Sequence, residues 1–395
     1  VQLYPTPDNP IPGPEPVLMS VTAKDGVPLR VARWVPEGPC QGTVCILQGR
    51  AEFIEKYFET VGDLLVRGFA VVAFDWRGQG HSGRQVRNAR KGHVRRFSDY
   101  RRDLAAIRDQ VLIPHMPQPH FALAHSMGGA IALQAAAEGA LPFRRLVTTT
   151  PMIALCIINN LRTASVVARV LHMLGFGRAF IPGGGETSIS KKPYAGNRLT
   201  SDPVRYARNA AAAAAVGDGA IGDPTVAWIH SAFRFMDAFR DPRFGLKVRL
   251  PTLIVAAGAD PVCATPVTER LAARLKAGHA IVLRGAKHEI LMERDAIREQ
   301  FWAAFDAFIP GSDGAVMREG PAEAAAPRDI PAPQAAAPVA ALPAPAVEEP
   351  RVGDADAAPE PVLALAASGP AAEELDRGRV DAAVAGGDDR PALGR

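Results

Sequence analysis

The chain has 395 residues, 48% of them apolar and 22% charged, with a formal net charge of +4. That length holds one large domain or two ordinary ones, and the apolar share supports a sizeable core. No uninterrupted apolar run reaches the ~20 residues of a spanning helix, and four cysteines without a Cys-x-x-Cys pair argue against a disulfide scaffold.

The charge is unevenly spread. Residues 311–395 carry 7 basic and 15 acidic side chains, which leaves 38 basic and 26 acidic in the body. A basic body favours anionic partners, a solvated Arg-rich surface being the simpler reading. Local pairs such as Arg95-Arg96 and Arg101-Arg102 lack the interleaved aromatics of a strand-binding face, so nucleic acid is not expected. Cys40, Cys45, Cys156 and Cys263 read as small buried residues in a reducing compartment. No Cys/His spacing suggests a metal, and no cofactor is expected. Residues 1–16 are Pro-rich and show no basic-then-apolar signal pattern, so the expectation is a flexible segment and a cytoplasmic protein, with peripheral contact to an anionic membrane left open.

Residues 17–22 and 27–35 alternate as two strands, and Asp25-Gly26 between them signals a hairpin. Residues 43–47 form a short apolar strand ending in Gln48-Gly49-Arg50. Residues 54–66 carry apolar side chains at helical spacing and stop at Gly68. A strand over 69–74 runs into the glycine-punctuated loop 75–83. Residues 97–111 predict a helix, broken by Pro114 and Pro117. A strand over 121–124, a helix over 127–138 and a strand over 146–150 follow. Strands alternating with helices at this rhythm predict a parallel α/β sheet.

The rhythm stops at Pro151 and resumes with a strand at 252–256, a helix at 267–275, a strand at 280–283 and a helix at 294–308. Residues 152–250 are thus a lid-sized helical insertion that divides the core into 17–151 and 251–310. Its first part, 153–180, is strongly apolar. Packing against the sheet is the simpler reading of that face; an acyl-chain wall or a membrane-touching face is the functional one. Residues 311–395, with 12 Pro, 25 Ala and no aromatic, predict a disordered tail. Deleting it is expected to leave the chemistry unchanged.

The run Ala124-His125-Ser126-Met127-Gly128 sits where a strand turns into a helix, the setting of a nucleophile elbow. Ala124 stands where the usual Gly-x-Ser-x-Gly has its first glycine, a methyl where backbones crowd. A serine hydroxyl needs a base, and the base needs an orienting acid. Asp260 follows the strand at 252–256 and His288 follows the strand at 280–283, in the chain order Ser, Asp, His. The expected catalytic set is Ser126, Asp260 and His288. His125 is expected to pack beside the site. The oxyanion donors are expected to be the backbone N–H groups of Met127 and Arg50. The Arg50 side chain reads as an exposed loop arginine, with a headgroup contact as the alternative.

Residues 17–310 resemble the monoacylglycerol lipase and lysophospholipase branch of the α/β-hydrolase superfamily. The resemblance rests on Asp75-x-Arg77-Gly78-x-Gly80-x-Ser82, on His125-Ser126-Met127-Gly128-Gly129 and on Gly285-Ala286-Lys287-His288-Glu289-Ile290. It implies a mostly parallel central sheet flanked by helices, a helical lid, and hydrolysis of a carboxylic ester on a single-chain lipid. The usual His-Gly after the third strand is Gln48-Gly49 here. That histidine supports the oxyanion loop by hydrogen bonding, and Gln48, which can donate and accept, is expected to do the same. Another acyl substrate, such as a peptide, thioester or lactone, and a silent scaffold whose tail recruits a partner, are the alternatives.

Overall fold

The computed structural model describes residues 1–311; the segment assigned above to a tail lies almost wholly outside the described residues. Gly26 turns the chain at φ +82° and closes a hairpin between β1 (Val17–Thr22) and β2 (Pro28–Trp34). The remaining strands are β3 (Thr43–Leu47), β4 (Ala70–Phe74), β5 (His120–His125), β6 (Arg145–Thr149), β7 (Thr252–Ala257) and β8 (Gly278–Leu283). They form one sheet in the order β1-β2-β4-β3-β5-β6-β7-β8. β2 runs antiparallel to both neighbours, and every pairing from β4 to β8 is parallel. Every residue of β3, β4, β5 and β7 is buried, which explains their continuous rather than alternating apolar runs.

Helices cover both faces. They are α1 (Phe58–Val66), α2 (Tyr100–Ile107), α3 (Ile113–His115), α4 (Ser126–Ala137), α5 (Leu161–Met173), α6 (Pro203–Val216), α7 (Val226–Met236), α8 (Phe244–Lys247), α9 (Thr265–Ala272) and α10 (Asp295–Phe308). One apolar layer joins residues of α2, α4 and α9, such as Ile107, Ile131 and Leu271. The other joins α1 and α10 through Phe58, Phe301 and Phe305.

Two expectations change. Pro114 does not break the helix begun at 97. The helix widens into a π turn over Arg108–Leu112 and continues through Pro114 to His115. The widened turn removes the need for the N–H that proline lacks. Secondly, α5 does not pack on the sheet. Only Ala168 of its 13 residues is buried. It lies against α7, and one apolar face, Val166, Val167, Val170 and Met173, points out, Met173 being 65% exposed and the following Leu174 66%. Among the described residues no helix is long and apolar enough to cross a membrane.

Candidate active site

β5 delivers the chain to Ser126, whose φ of +48° is the strained turn that lifts its side chain off the strand direction. α4 starts at that residue. Gly128 is the position that crowding dictates, since a Cβ there would lie 2.2 Å from the Leu47 carbonyl oxygen. Ala124 is fully buried, opposite Leu47 on β3 and Thr148 on β6, and its methyl leaves the turn closed. Gly128→Ala must therefore push α4 away from β3. It is expected to cost about 1–3 kcal/mol and to lower activity at least as visibly as stability. Urea unfolding and ester turnover of the variant check this, and wild-type values in both would refute the packing argument.

The structure brings Ser126, Asp260 and His288 together. Ser126 Oγ lies 3.0 Å from His288 Nε2, and His288 Nδ1 lies 3.0 and 3.1 Å from the two Asp260 oxygens. Asp260 Oδ1 also accepts the N–H groups of Val262 and Cys263. Burial would raise the Asp260 carboxyl, but the His288 contact and these two amides outweigh it and hold it low. The Thr150 hydroxyl donates to the His288 carbonyl at 2.9 Å and fixes the histidine loop. Thr150 itself sits at φ +43°.

His125 packs beside the site, its ring centroid 5.1 Å from that of His288. Its Nδ1 lies 3.0 Å from Thr149 Oγ1, and its ring abuts Gly49, where a Cβ would come within 2.9 Å of it. Burial brings it down to about 4; Glu52 opposes that, while His288 and Lys56 add to it. The unfolded chain takes up a proton below the ordinary 6.5, and the folded chain refuses it until about 4. Stability is therefore complete above pH 6.5 and is lost as pH falls from there to 4, by roughly 3 kcal/mol from this residue. His93, also held near 4 by burial, adds to the trend. Urea unfolding at pH 7 and 4.5 should show a smaller loss in His125→Asn than in the wild type. An equal loss would remove His125 from the account.

The two expected oxyanion donors are the backbone N–H groups of Met127 and Arg50. Met127 is in the first turn of α4, where an N–H has no partner within the helix. Among the described residues the Arg50 N–H donates to no other group. The support expected of Gln48 comes from elsewhere. Its side chain is fully buried, and among the described residues neither its oxygen nor its nitrogen has a hydrogen-bond partner. Glu52 holds the loop instead, by accepting the Gly49 N–H, and Gln79 accepts from Ala51 and donates to the Gly49 carbonyl at 2.8 Å. Nor is Arg50 a loop side chain in solvent. Its guanidinium donates to the Gly222 carbonyl at 2.6 Å and stacks over Trp228 at 5.3 Å, so it ties the loop after β3 to the helical insertion. Burial pulls it down to about 10, with Asp223 opposing.

Behind the loop lies a buried ion cluster that sequence reasoning missed. Lys56 Nζ donates to Glu52 at 2.8 Å and to Glu289 at 2.6 Å, and the Tyr57 hydroxyl donates to Glu52 at 2.6 Å. Lys56 thereby joins the loop after β3 to the residue after the candidate base. Burial would raise both carboxyls. Lys56, with help from His125, overcomes it at Glu52 and brings that group to about 2, while at Glu289 burial wins. The four-residue spacing of Glu52 and Lys56 was the available signal.

The glycine loop after β4 is a brace. Asp75 accepts from Arg30 Nε at 2.6 Å, from the Ile54 N–H at 3.0 Å and from the His81 N–H at 2.7 Å. Arg77 pairs with Asp25 and Asp103. Among the described residues one group, Asp260, Cys263 and His288, brings possible metal-ligand atoms within 4.8 Å of one another. Its carboxylate and imidazole already bond each other, and burial keeps the Cys263 thiol well above its ordinary value.

A serine on a strained strand-to-helix turn, bonded to a histidine that is bonded to an aspartate above a mostly parallel sheet, defines an α/β-hydrolase of the serine-hydrolase type. Residues 38–295 match the family model described as serine aminopeptidase, S33. The chain is 33% identical over 291 residues to lysophospholipase L2 of Escherichia coli K12, covering 70% of this chain and 82% of that protein. A probable lysophospholipase L2 of Haemophilus influenzae is 28% identical over 69% of this chain and 85% of its own. The chain belongs to this family, within the esterase and lipase branch of the α/β-hydrolases. A soluble variant of monoglyceride lipase from Saccharomyces cerevisiae shares the fold, with a TM-score of 0.62 at 18% identity over 78% of this chain and 99% of that one. So does a carboxyl esterase from Bacillus coagulans, with a TM-score of 0.61 at 21% identity over 75% and 99%.

Proposed function

We propose that this protein hydrolyses the carboxylic ester of a single-chain lipid, a lysophospholipid or a monoacylglycerol, through an acyl-enzyme on Ser126. The observation that carries the reading is the 3.0 Å contact between Ser126 Oγ and His288 Nε2, with Asp260 behind it. His288 takes the serine proton as Oγ attacks the ester carbonyl, and the Arg50 and Met127 N–H groups receive the developing negative oxygen. His288 then returns the proton to the departing alcohol. Water, deprotonated by His288, attacks the acyl group, and the fatty acid leaves as Ser126 regains its proton.

A cavity of about 330 Å³ supports the lipid substrate. Ile157, Ile189, Leu199 and Val262 line it, and Val262 belongs to the turn that carries Asp260. Lys192 and Arg198 also line it, a pairing of apolar wall and cation that suits an acyl chain with an anionic headgroup and favours the lysophospholipid. The family description raises aminopeptidase activity as a second reading. A free amino terminus calls for a carboxylate, and this pocket is lined by cations. The outward apolar face of α5, in a stretch 153–180 without any Asp or Glu, supports a peripheral seat on an anionic membrane in the cytoplasm. Fluorophosphonate labelling at Ser126, followed by a panel of lysophospholipids, monoacylglycerols, short esters and aminoacyl amides, tests the assignment. Failure to label, or preference for the amides, would reject it.

A further inference from the structure

The lid and core meet in a second concavity of about 630 Å³ that shares no lining residue with the catalytic centre. Arg95 and Arg96 reach it from the segment before α2, His172 from α5, and His230 and Arg234 from α7. No carboxylate lines it. Among the described residues none of the three arginines has an ion-pair partner, whereas Arg30, Arg77, Arg205 and Arg298 each hold one or more carboxylates. The two histidine rings stack at 4.8 Å, 21° from parallel.

We propose that this cleft binds a phosphate group, offered by a phospholipid headgroup or by a soluble phosphate ester. Unpaired guanidiniums bordering one cleft repel one another, and a bound anion turns that repulsion into charge-assisted hydrogen bonds with planar, forked donors. The local potential is already positive. His230 is held below its ordinary value first by burial and then by the charges of His172, Arg234 and Arg169. The segments that carry these side chains are held in place. The Phe97 N–H donates to Ser231 Oγ at 2.8 Å, which fastens the Arg95–Arg96 segment to α7. The Phe97 and Phe235 rings, 4.9 Å apart, stiffen the same junction. Ser231 thereby keeps its own hydroxyl hydrogen for a ligand oxygen. With the backbone that carries them fixed, the donors lose only side-chain entropy on binding. Because the donors come from the core segment and from two lid helices, an occupant bridges the two. The site stands whether or not the lipid-ester reading holds.

Calorimetric titration of the full chain with inorganic phosphate, at ionic strength matched with sodium chloride, tests the site. The wild type should bind, and a triple variant Arg95→Ser, Arg96→Ser, Arg234→Ser should bind at least about tenfold more weakly, a difference of ~1.4 kcal/mol. Histidine NMR should show the His172 and His230 resonances moving with phosphate in the wild type alone. Hydrolysis of a short neutral ester serves as the folding control and should be equal in both. Co-flotation with phosphatidylglycerol vesicles, with and without saturating glycerol phosphate, identifies the source. Flotation lost in the triple variant and competed by glycerol phosphate marks a soluble ester as sufficient. Flotation lost in the variant and not competed marks the membrane headgroup. Equal phosphate binding by wild type and variant, or no binding beyond chloride, overturns the proposal.

Discussion

Ser126→Ala is expected to lower ester turnover by roughly 10⁴- to 10⁶-fold while the protein stays folded. The substitution removes one oxygen from a buried side chain whose hydrogen-bond partner is His288 Nε2. Alanine meets the same steric objection to φ +48° that serine does, so the turn gains no new strain. Its stability should stay within about 1 kcal/mol of wild type. On the proposed mechanism the size of the rate loss follows from the loss of the covalent step: without Oγ no acyl-enzyme forms, and the proposed oxyanion donors and pocket act alone. Turnover of a short-chain ester and a thermal melt measure the two halves. A variant with more than a hundredth of wild-type turnover would show that another nucleophile does the chemistry.

Lys56→Met should be among the most destabilising changes outside the apolar core. The ammonium lies between two carboxylates, and side chains of all three are within a few per cent of complete burial. A buried pair adds little net stability over apolar residues of the same shape, but removing one partner strands the other's charge and costs about 3–5 kcal/mol. For a domain of this size that is a fall of roughly 5–8 °C in Tm. The effect should reach catalysis too. Glu52 accepts the Gly49 N–H and so holds the strand end that presents the Arg50 N–H. If Glu52 loses its counter-ion and protonates, that acceptor weakens, and kcat should fall more than KM rises. The triple change Lys56→Met, Glu52→Gln, Glu289→Gln separates the two effects. It should recover much of the melting temperature without recovering kcat. A single variant melting within a degree or two of wild type would mean that the cluster is not the brace described.

The pH dependence of His125 and the stress at Gly128 belong to the same small volume. Gly49, His125, Glu52 and the first turn of α4 are packed there with no room for an added carbon. A change at any one of them moves the oxyanion loop or the serine. This is why Ala124, read in the sequence as the doubtful position, matters less than Gly128: its methyl points into the layer that includes Met127 and Ala130, whereas the missing Cβ of Gly128 would face a carbonyl oxygen.

The sequence alone determined the strands, because a buried parallel strand is a local run of apolar residues bounded by turn residues, and it pointed to a helical insertion by interrupting that rhythm. It also ordered Ser126, Asp260 and His288 along the chain, since each follows a strand that can be recognised by itself. Only the tertiary structure decided what spans distance. Ser126 and His288 are 162 residues apart, and Lys56 and Glu289 are 233 apart, so no local pattern joins them. Arg50 looked exposed because loop position says nothing of the lid that covers it. Gln48 looked like a support because hydrogen-bonding capacity is a property of the residue, while a partner is a property of the neighbourhood. The apolar face of α5 looked like core because periodicity reports that a face is apolar and not what it meets. Composition and spacing fix local conformation; the pairing of charges, the direction of a side chain and the fate of an apolar face are settled when distant segments pack.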